Sequence, residues 1–368
     1  DSSSVNNLEI TKTLSGERKG SLLNSVNYTK TSAGTRMLVN DLMFPLTDGE
    51  KINIRLNLVQ CFYNNYHKLE LQLKNIFKKF PDISRSLARI SLGRGGPRDL
   101  YSISKGLNIT LDLHKVLLDI GKNEKNSSVY SLISDINKDD ILEIVKILNR
   151  ALEEKLPLLT KDGNFIRKGY DVNLDKIREF RENRKNTILK LEEQEKKFTK
   201  INSLKVKYNN FLGYFIDVTP SFQKVIKEYP ERYIHRQTLK NSCRYTTNDL
   251  IEVSEKILNY NFEALEMENS IYKELVDIVI KKSEIITRVS NLMSRLDVSF
   301  SWATYAKQTD AVRPIISTKG DFKIKNGRHP SVEKTHTEKF IPNDCILKIE
   351  KDNILKLITG PNMSGKST

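Results

Sequence analysis

Apolar positions recur at helical spacing along most of the chain. Residues 8–50 predict a short polar strand and then a helix. Leu22, Leu23 and Val26 and, after a turn at Ser32–Gly34, Met37, Leu38 and Leu42 share one side of it. Pro45 ends that pattern. Residues 51–80 carry an apolar stripe including Ile52, Leu56, Val59, Phe62, Leu69, Leu73 and Ile76, which predicts helix up to Pro81. Gly93, Gly95, Gly96 and Pro97 predict a turn between helices. A phosphate loop needs a preceding strand, and none is expected there. Residues 99–155 read as further packed helices. Residues 171–199 read as one exposed helix with Leu174, Ile177, Ile188, Leu191 and Phe198 as its apolar positions.

The period then changes. Leu204, Val206 and Tyr208 alternate with Lys205 and Lys207, and after Asn209-Asn210 come Phe211, Tyr214, Phe215, Ile216 and Val218. That is a hairpin pattern, with Gly213 marking a bulge or a close backbone approach. No proline falls between Pro230 and Pro314, and no glycine between Gly213 and Gly320. Within that window Leu250–Leu296 reads as one helix, roughly 70 Å long at about 1.5 Å per residue. A helix of that length suits a lever arm, and 171–199 can run antiparallel to it. The expected fold is mainly α, with a helical core and long levers, and a nested α+β insertion whose β-rich tip lies at about 200–245.

Composition adds a partner class. Lys and Arg number 61 against 46 Asp and Glu, an excess of +15. The sequence pI is about 9.4 and the mean hydropathy −0.47. The excess favours a polyanion, nucleic acid before an anionic membrane, although a Lys-rich proteome produces the same figure. No run approaches the roughly 18 apolar residues of a membrane span, and the polar Asp1–Asn7 start does not resemble a secretory signal. A start at Asp1 rather than Met suggests a piece of a longer protein. Cys61, Cys243 and Cys345 are far apart, with no metal-site spacing, which suits a reducing cytosol.

The charge is concentrated. Residues 196–244 hold 11 Lys and Arg against 3 Asp and Glu, an excess of +8, with Tyr208, Phe211, Tyr214, Phe215, Tyr229, Tyr233 and Tyr245 interleaved. An ordinary solvated face is the bland alternative to a phosphate-gripping surface. No base-reading motif is visible, so backbone contacts to duplex DNA are expected. Lys205, Lys207, Asn209, Lys240 and Asn241 are the candidate DNA-binding residues, as polar positions beside the hairpin and the loop that follows it.

The C-terminal stretch carries the chemistry. Gly360, Gly365, Lys366 and Ser367 satisfy Gly-x-x-x-x-Gly-Lys-Ser/Thr, behind an apolar run, Ile354–Ile358, that reads as a strand. Backbone N–H groups of such a loop cradle phosphate oxygens. Lys366 supplies positive charge for the β- and γ-phosphates, and the Ser367 hydroxyl can ligate Mg²⁺. ATP and Mg²⁺ are therefore the expected cofactors, held by Gly360, Pro361, Asn362, Met363, Ser364, Gly365, Lys366, Ser367 and Thr368. The chain stops inside the motif's helix, so no catalytic residue is assigned and the chain alone is expected to be inactive.

Thr359-Gly-Pro-Asn-Met-Ser-Gly-Lys-Ser-Thr368 resembles the nucleotide loop of the MutS family of DNA mismatch repair ATPases. Leu14–Leu23, Thr29–Leu38, Gly93–Leu100, Ser203–Thr219, Tyr233–Thr247, Gly327–Pro330 and Phe340–Asp344 resemble further segments of that family, in order, most like its bacterial mismatch-repair branch. The resemblance implies a core domain that sends out two lever helices with a clamp between them. It implies clamps of two subunits closing on duplex DNA, composite ATP sites at the dimer interface, and a MutL-type repair partner in the cytosol. It places Phe340 on the adenine with Ile341 beside it. His329 reads as structural. The implied divisions are 1–170 (core and first lever), 171–265 (clamp region), 266–313 (returning lever and core) and 314–368 (the start of an ABC-like P-loop α/β ATPase domain). The family's mismatch-reading and connector domains have no counterpart in these residues. The alternatives are a non-enzymatic helical DNA-binding scaffold and a family member acting in recombination.

Overall fold

The computed structural model describes residues 2–121, 137–209, 211–318, 322–335, 340–348 and 355–360. The chain divides into two compact units. One comprises Asp1–Gly95, Asp99–Lys146 and Val279–Thr368, and the other Gly96–Arg98 and Ile147–Ile278. Both are mostly helical, with small antiparallel sheets.

The first unit contains α1 (Ser2–Asn7), α2 (Leu22–Val26), α3 (Ser32–Met43), α4 (Gly49–Asn64), α5 (Tyr66–Lys79), α6 (Ile83–Ser91) and most of α7 (Pro97–Gly121). It also takes the start of α8 (Lys138–Ala151) and, late in the chain, α12 (Ser283–Thr309). Helix α12 is its spine, packed against α2, α3, α4, α5 and α6. From Met293 to Thr304 it is buried on nearly every side, as a helix enclosed by others must be. Phe300 sits at the centre, with the rings of Phe62, Tyr66 and Phe77 at 5.9, 5.7 and 6.2 Å. Small polar residues let the neighbours come close, and their hydroxyls are satisfied locally. Ser294 and Thr304 donate to carbonyls one turn back, and Ser301 accepts from the Tyr28 amide at 2.9 Å.

Asp297 is the one buried charge on this spine. Its carboxylate accepts from the amides of Lys30 (3.0 Å) and Thr31 (2.8 Å) and from the Thr31 hydroxyl (2.7 Å). The same hydroxyl accepts from the Gly34 amide at 2.8 Å, capping α3. Burial pushes the Asp297 carboxyl above its usual pKa, and these donors pull it back. Ser32–Gly34, expected as a turn between helices, is therefore the first turn of α3. A Cβ at Gly34 would overlap the Asp297 carboxylate and lie 2.8 Å from the Thr31 hydroxyl oxygen. Gly34→Ala is expected to cost ~1–3 kcal/mol, read as a lowered urea midpoint by fluorescence of Trp302 on α12. An unchanged midpoint would show that the contact is slack.

Other expectations are corrected. Residues 8–21 form turns, and no strand is found among them. The 51–80 helix breaks at Asn65, whose side chain caps the end of α4 by donating to the Cys61 carbonyl at 3.0 Å. The long helix at 250–296 is two helices, α11 (Asn248–Lys281) and α12, broken at Lys282. The Lys282 ammonium is held there by Asp140 (2.7 Å) and Glu143 (3.0 Å) of α8. The glycine-rich turn lies where expected: Gly93 has φ +67°, and Gly95 packs against the Ile90 backbone too closely for any side chain.

The second unit carries two arms. These are α9 (Val172–Thr199) and α11, about 42 and 51 Å long at 1.5 Å per residue. They run antiparallel: Arg178 meets Glu268 at one level, and Ile188 and Leu191 pack near Leu250 and Val253 at another. Between them in sequence lie β1 (Lys205–Asn209), β2 (Gly213–Val218), α10 (Gln223–Lys227), β3 (Ile234–Leu239) and β4 (Ser242–Thr246). In the first unit, β5 (Phe322–Gly327) and β6 (Asn343–Leu347) form an antiparallel pair, with α13 (Pro330–Thr335) between them in sequence. The strand expected at 354–358 is not formed over its described part. Leu355, Leu357 and Ile358 are irregular and 85%, 83% and 70% exposed. A parallel-sheet strand is held by neighbours on both edges and both faces, and no described strand pairs with this one.

Candidate nucleic-acid interface and nucleotide loop

The tip sheet has the order β1-β2-β4-β3, all antiparallel. Alternation divides its side chains between two faces. Val206, Ile216, Val218, Cys243 and Tyr245 form a core with Ile188 and Leu191 of α9, Ile226 of α10 and Leu250 of α11. The register aligns Lys205, Asp217, Arg244 and Gln237 across the opposite face, with Lys207 and Phe215 in the next row of that face. Lys207 pairs with Asp217. The Arg244 guanidinium lies 4.7 Å from the Phe215 ring centroid and donates to the Gln237 side-chain oxygen at 2.8 Å. Lys205, Lys207 and Arg244 against Asp217 leave this face positive.

Two carboxylates, the half-buried Glu192 and the buried Glu195, hold the sheet on α9. Glu192 accepts from the Val206 amide at 2.8 Å and from Lys196 at 2.5 Å. Burial raises its pKa, but those two donors outweigh it and hold the carboxyl below its usual value. Glu195, 2% exposed, pairs with Arg232 at 2.5 Å and accepts from the Tyr233 hydroxyl. The hydrogen bond that Arg232 donates to Glu195 raises the Arg232 pKa. Burial first, and then Glu195, push the Tyr233 phenol well up. The Arg232 guanidinium also covers the Phe198 ring at 4.5 Å.

The five predicted contact residues do not share one place. Lys205 starts β1 and is exposed. Lys240 and Asn241 form the exposed two-residue turn between β3 and β4, which the register sets at the same end of the sheet as Lys205. Asn209 lies at the other end, and its side chain builds the β1–β2 turn, accepting from the amides of Phe211 (3.0 Å) and Leu212 (2.6 Å). Gly213, at φ +70°, belongs to that turn, with ordinary spacing to its neighbours. Lys207 spends part of its charge on Asp217. Arg244 and Gln237 were not picked out as contacts. The alternation in Ser242–Thr246, with Cys243 and Tyr245 inward, was the signal that could have placed Arg244 on the open face.

At the candidate nucleotide loop, Gly360 is exposed and irregular, and Pro361–Thr368 lie outside the described residues. Phe340 is half-buried and Ile341 is 78% exposed. The Gly327–Pro330 stretch has a structural task. Arg328 binds the Thr309 carbonyl and pairs with Glu333, while the His329 ring accepts from the Val332 amide at 3.4 Å, at the start of α13. Lys334 of α13 reaches the Asn24 carbonyl of α2 at 3.2 Å. Among the described residues, no helix is long and apolar enough to cross a membrane.

Fold and site together define a helical protein with a small basic antiparallel sheet mounted on paired helical arms. The family model for MutS domain III matches residues 3–303. The chain belongs to the MutS family. It is 38% identical over 375 residues to the DNA mismatch repair protein MutS of Roseobacter denitrificans, covering 100% of this chain and 42% of that protein. It is 37% identical over 371 residues to that of Bartonella tribocorum, covering 98% and 40%. It is 36% identical over 392 residues to that of Wolbachia pipientis, covering 100% and 45%. The chain thus spans about two fifths of the length of the curated relatives it matches.

Proposed function

We propose that this chain is the core, lever and clamp region of a nucleotide-switched DNA mismatch repair protein, together with the start of its P-loop ATPase domain. The observation that carries the reading is the positive open face of the tip sheet, held at the end of two antiparallel arms. Family membership supports the repair role, and the Gly360–Thr368 pattern supports ATP as the switch. The divisions 1–170, 171–265, 266–313 and 314–368 serve as core, clamp, returning lever and ATPase start. Lys205, Lys240 and Arg244 grip duplex phosphates, Lys207 assists, Asn241 contributes a hydrogen bond, and Asn209 shapes the neighbouring turn. Lys366 and its loop amides bind the phosphates of ATP, Ser367 binds Mg²⁺, and Phe340 with Ile341 receives the adenine. Two copies close around one duplex, and a MutL-type protein reads the closed state.

The test is duplex binding by this chain across a salt series. Each phosphate neutralised contributes about −0.9 to the log–log slope, so four cations imply roughly a hundredfold loss between 50 and 200 mM salt. Matched and singly mismatched duplexes are expected to bind alike, because backbone contacts carry no base information. Lys205→Glu is expected to flatten the slope. No binding even at low salt, or a slope that Lys205→Glu leaves unchanged, would remove the tip from the interface.

A further inference from the structure

A cavity of about 660 Å³ opens in the helical unit, between α3, α4 and α12 and beside the segment Ala311–Pro314. Its volume lies in the range that encloses a small ligand. The wall is mostly apolar, with Leu42, Leu56, Val59, Val298 and Ala306 among its side chains, and Trp302, Tyr63 and Tyr305 add flat rings.

The charges around it do not balance. Arg55, Arg295 and Arg313 line the cavity, and Asp41 is the one acid among the lining residues. Asp41 serves two guanidiniums at once, Arg55 at 3.1 Å and Arg295 at 2.5 Å. Arg313 bonds to the neutral side chains of Asn57 (2.7 Å) and Asn53 (3.4 Å), with no ion pair among the described residues. The Lys307 ammonium stands 3.8 Å from the centroid of the Tyr63 ring on the same rim. Burial and then the Arg295 charge lower the Arg55 pKa, as expected where cations outnumber their counter-charge.

We propose that this cavity binds a small amphiphilic anion, its planar apolar body against Trp302 and the aliphatic wall and its anionic head on Arg313 and the guanidinium pair at Asp41. Such a ligand touches both α12 and the segment that leads to β5, and so braces one against the other. None of the lining residues belongs to the tip sheet or to the nucleotide loop.

The chain has one tryptophan, and it lines the cavity. Titration with 1-anilinonaphthalene-8-sulfonate therefore reads the site by energy transfer from Trp302. Saturable quenching is expected with a dissociation constant on the order of tens of micromolar. The uncharged N-phenyl-1-naphthylamine is expected to bind about tenfold more weakly, the loss of one charge-assisted contact. Arg313→Gln, on the exposed rim, is expected to weaken the sulfonate severalfold and leave the neutral probe alone. Val59→Phe, which fills the wall, is expected to lose both. Equal affinity for the two probes, or a sulfonate titration unmoved by Arg313→Gln, overturns the proposal even if Val59→Phe does not fold. Failure of the sulfonate to bind the full-length gene product also overturns it, in favour of a cover supplied by the same polypeptide.

Discussion

Lys366→Ala in the full-length gene product is expected to weaken ATP binding by two decades or more. In the proposed nucleotide loop the Lys366 ammonium would be the point charge that the Gly-x-x-x-x-Gly-Lys-Ser pattern brings to the β- and γ-phosphates. Hydrogen bonds to charged groups contribute ~1.5–3 kcal/mol each, and two of them amount to roughly a hundredfold or more in affinity. Loop amides and Ser367 remain in the variant, so weak nucleotide binding that still responds to Mg²⁺ is expected to persist. Ser367→Ala separates the metal from the phosphate contact, because its defect should appear with Mg²⁺ and vanish with a chelator. The measurement is anisotropy of a fluorescent ATP analogue. Tight ATP binding by Lys366→Ala would falsify the site assignment. Duplex binding without nucleotide should be unchanged in both variants, since the tip sheet lies elsewhere in the chain.

Glu268→Ala is expected to be the most destabilising single change in the arms. Glu268 is 2% exposed, binds Arg178 at 2.5 Å and accepts from the Phe165 amide at 3.2 Å. It ties α11 both to α9 and to the segment leading into α9. Truncation leaves a guanidinium, only 14% exposed, without its close buried counter-charge and with only Asp175 at 3.9 Å. Removing one partner of such a pair costs ~3–5 kcal/mol, because the remaining charge is stranded. The Phe165 amide should lose its protection from hydrogen exchange, and the denaturant midpoint of the arm signals should fall. Glu268→Gln keeps an acceptor for Phe165 and should fall between the two. Arg178→Ala combined with Glu268→Ala should cost less than the sum of the single changes, since neither charge is then left alone. Strict additivity would mean that the pair is not coupled.

The arms and the hairpin were legible because their signals are periodic. Lys205 and Lys207 alternate with Val206 and Tyr208, and the sheet turns those residues to opposite faces. The breaks at Asn65 and Lys282 were not legible, because the apolar stripe runs on through both. One is marked by a side chain capping a carbonyl and the other by acids of α8 more than a hundred residues away in sequence. Ser32–Gly34 has turn composition, and only Asp297, far along the chain, supplies the acceptor that fixes Lys30 and Thr31 at the start of the helix. At the candidate interface, charge density was legible but its sorting was not. Strand order places Asn209 and Lys240 at opposite ends, and no local pattern carries that information. The apolar run ending at Ile358 shows the converse: a strand-like composition forms no strand over 355–358, where no described strand pairs with it.

The Glu192 carboxylate on the Val206 amide has a consequence for crowding. β1 is an edge strand, and edge amides invite another chain to add itself. An acid from the arm occupies that amide in advance. At the other edge, β3 is interrupted between His235 and Gln237 by an irregularity of register at Arg236, which puts a cation where a flat docking strand would need a neutral backbone. Copies of this sheet are thereby kept from adding to one another edge to edge as a continuous ribbon.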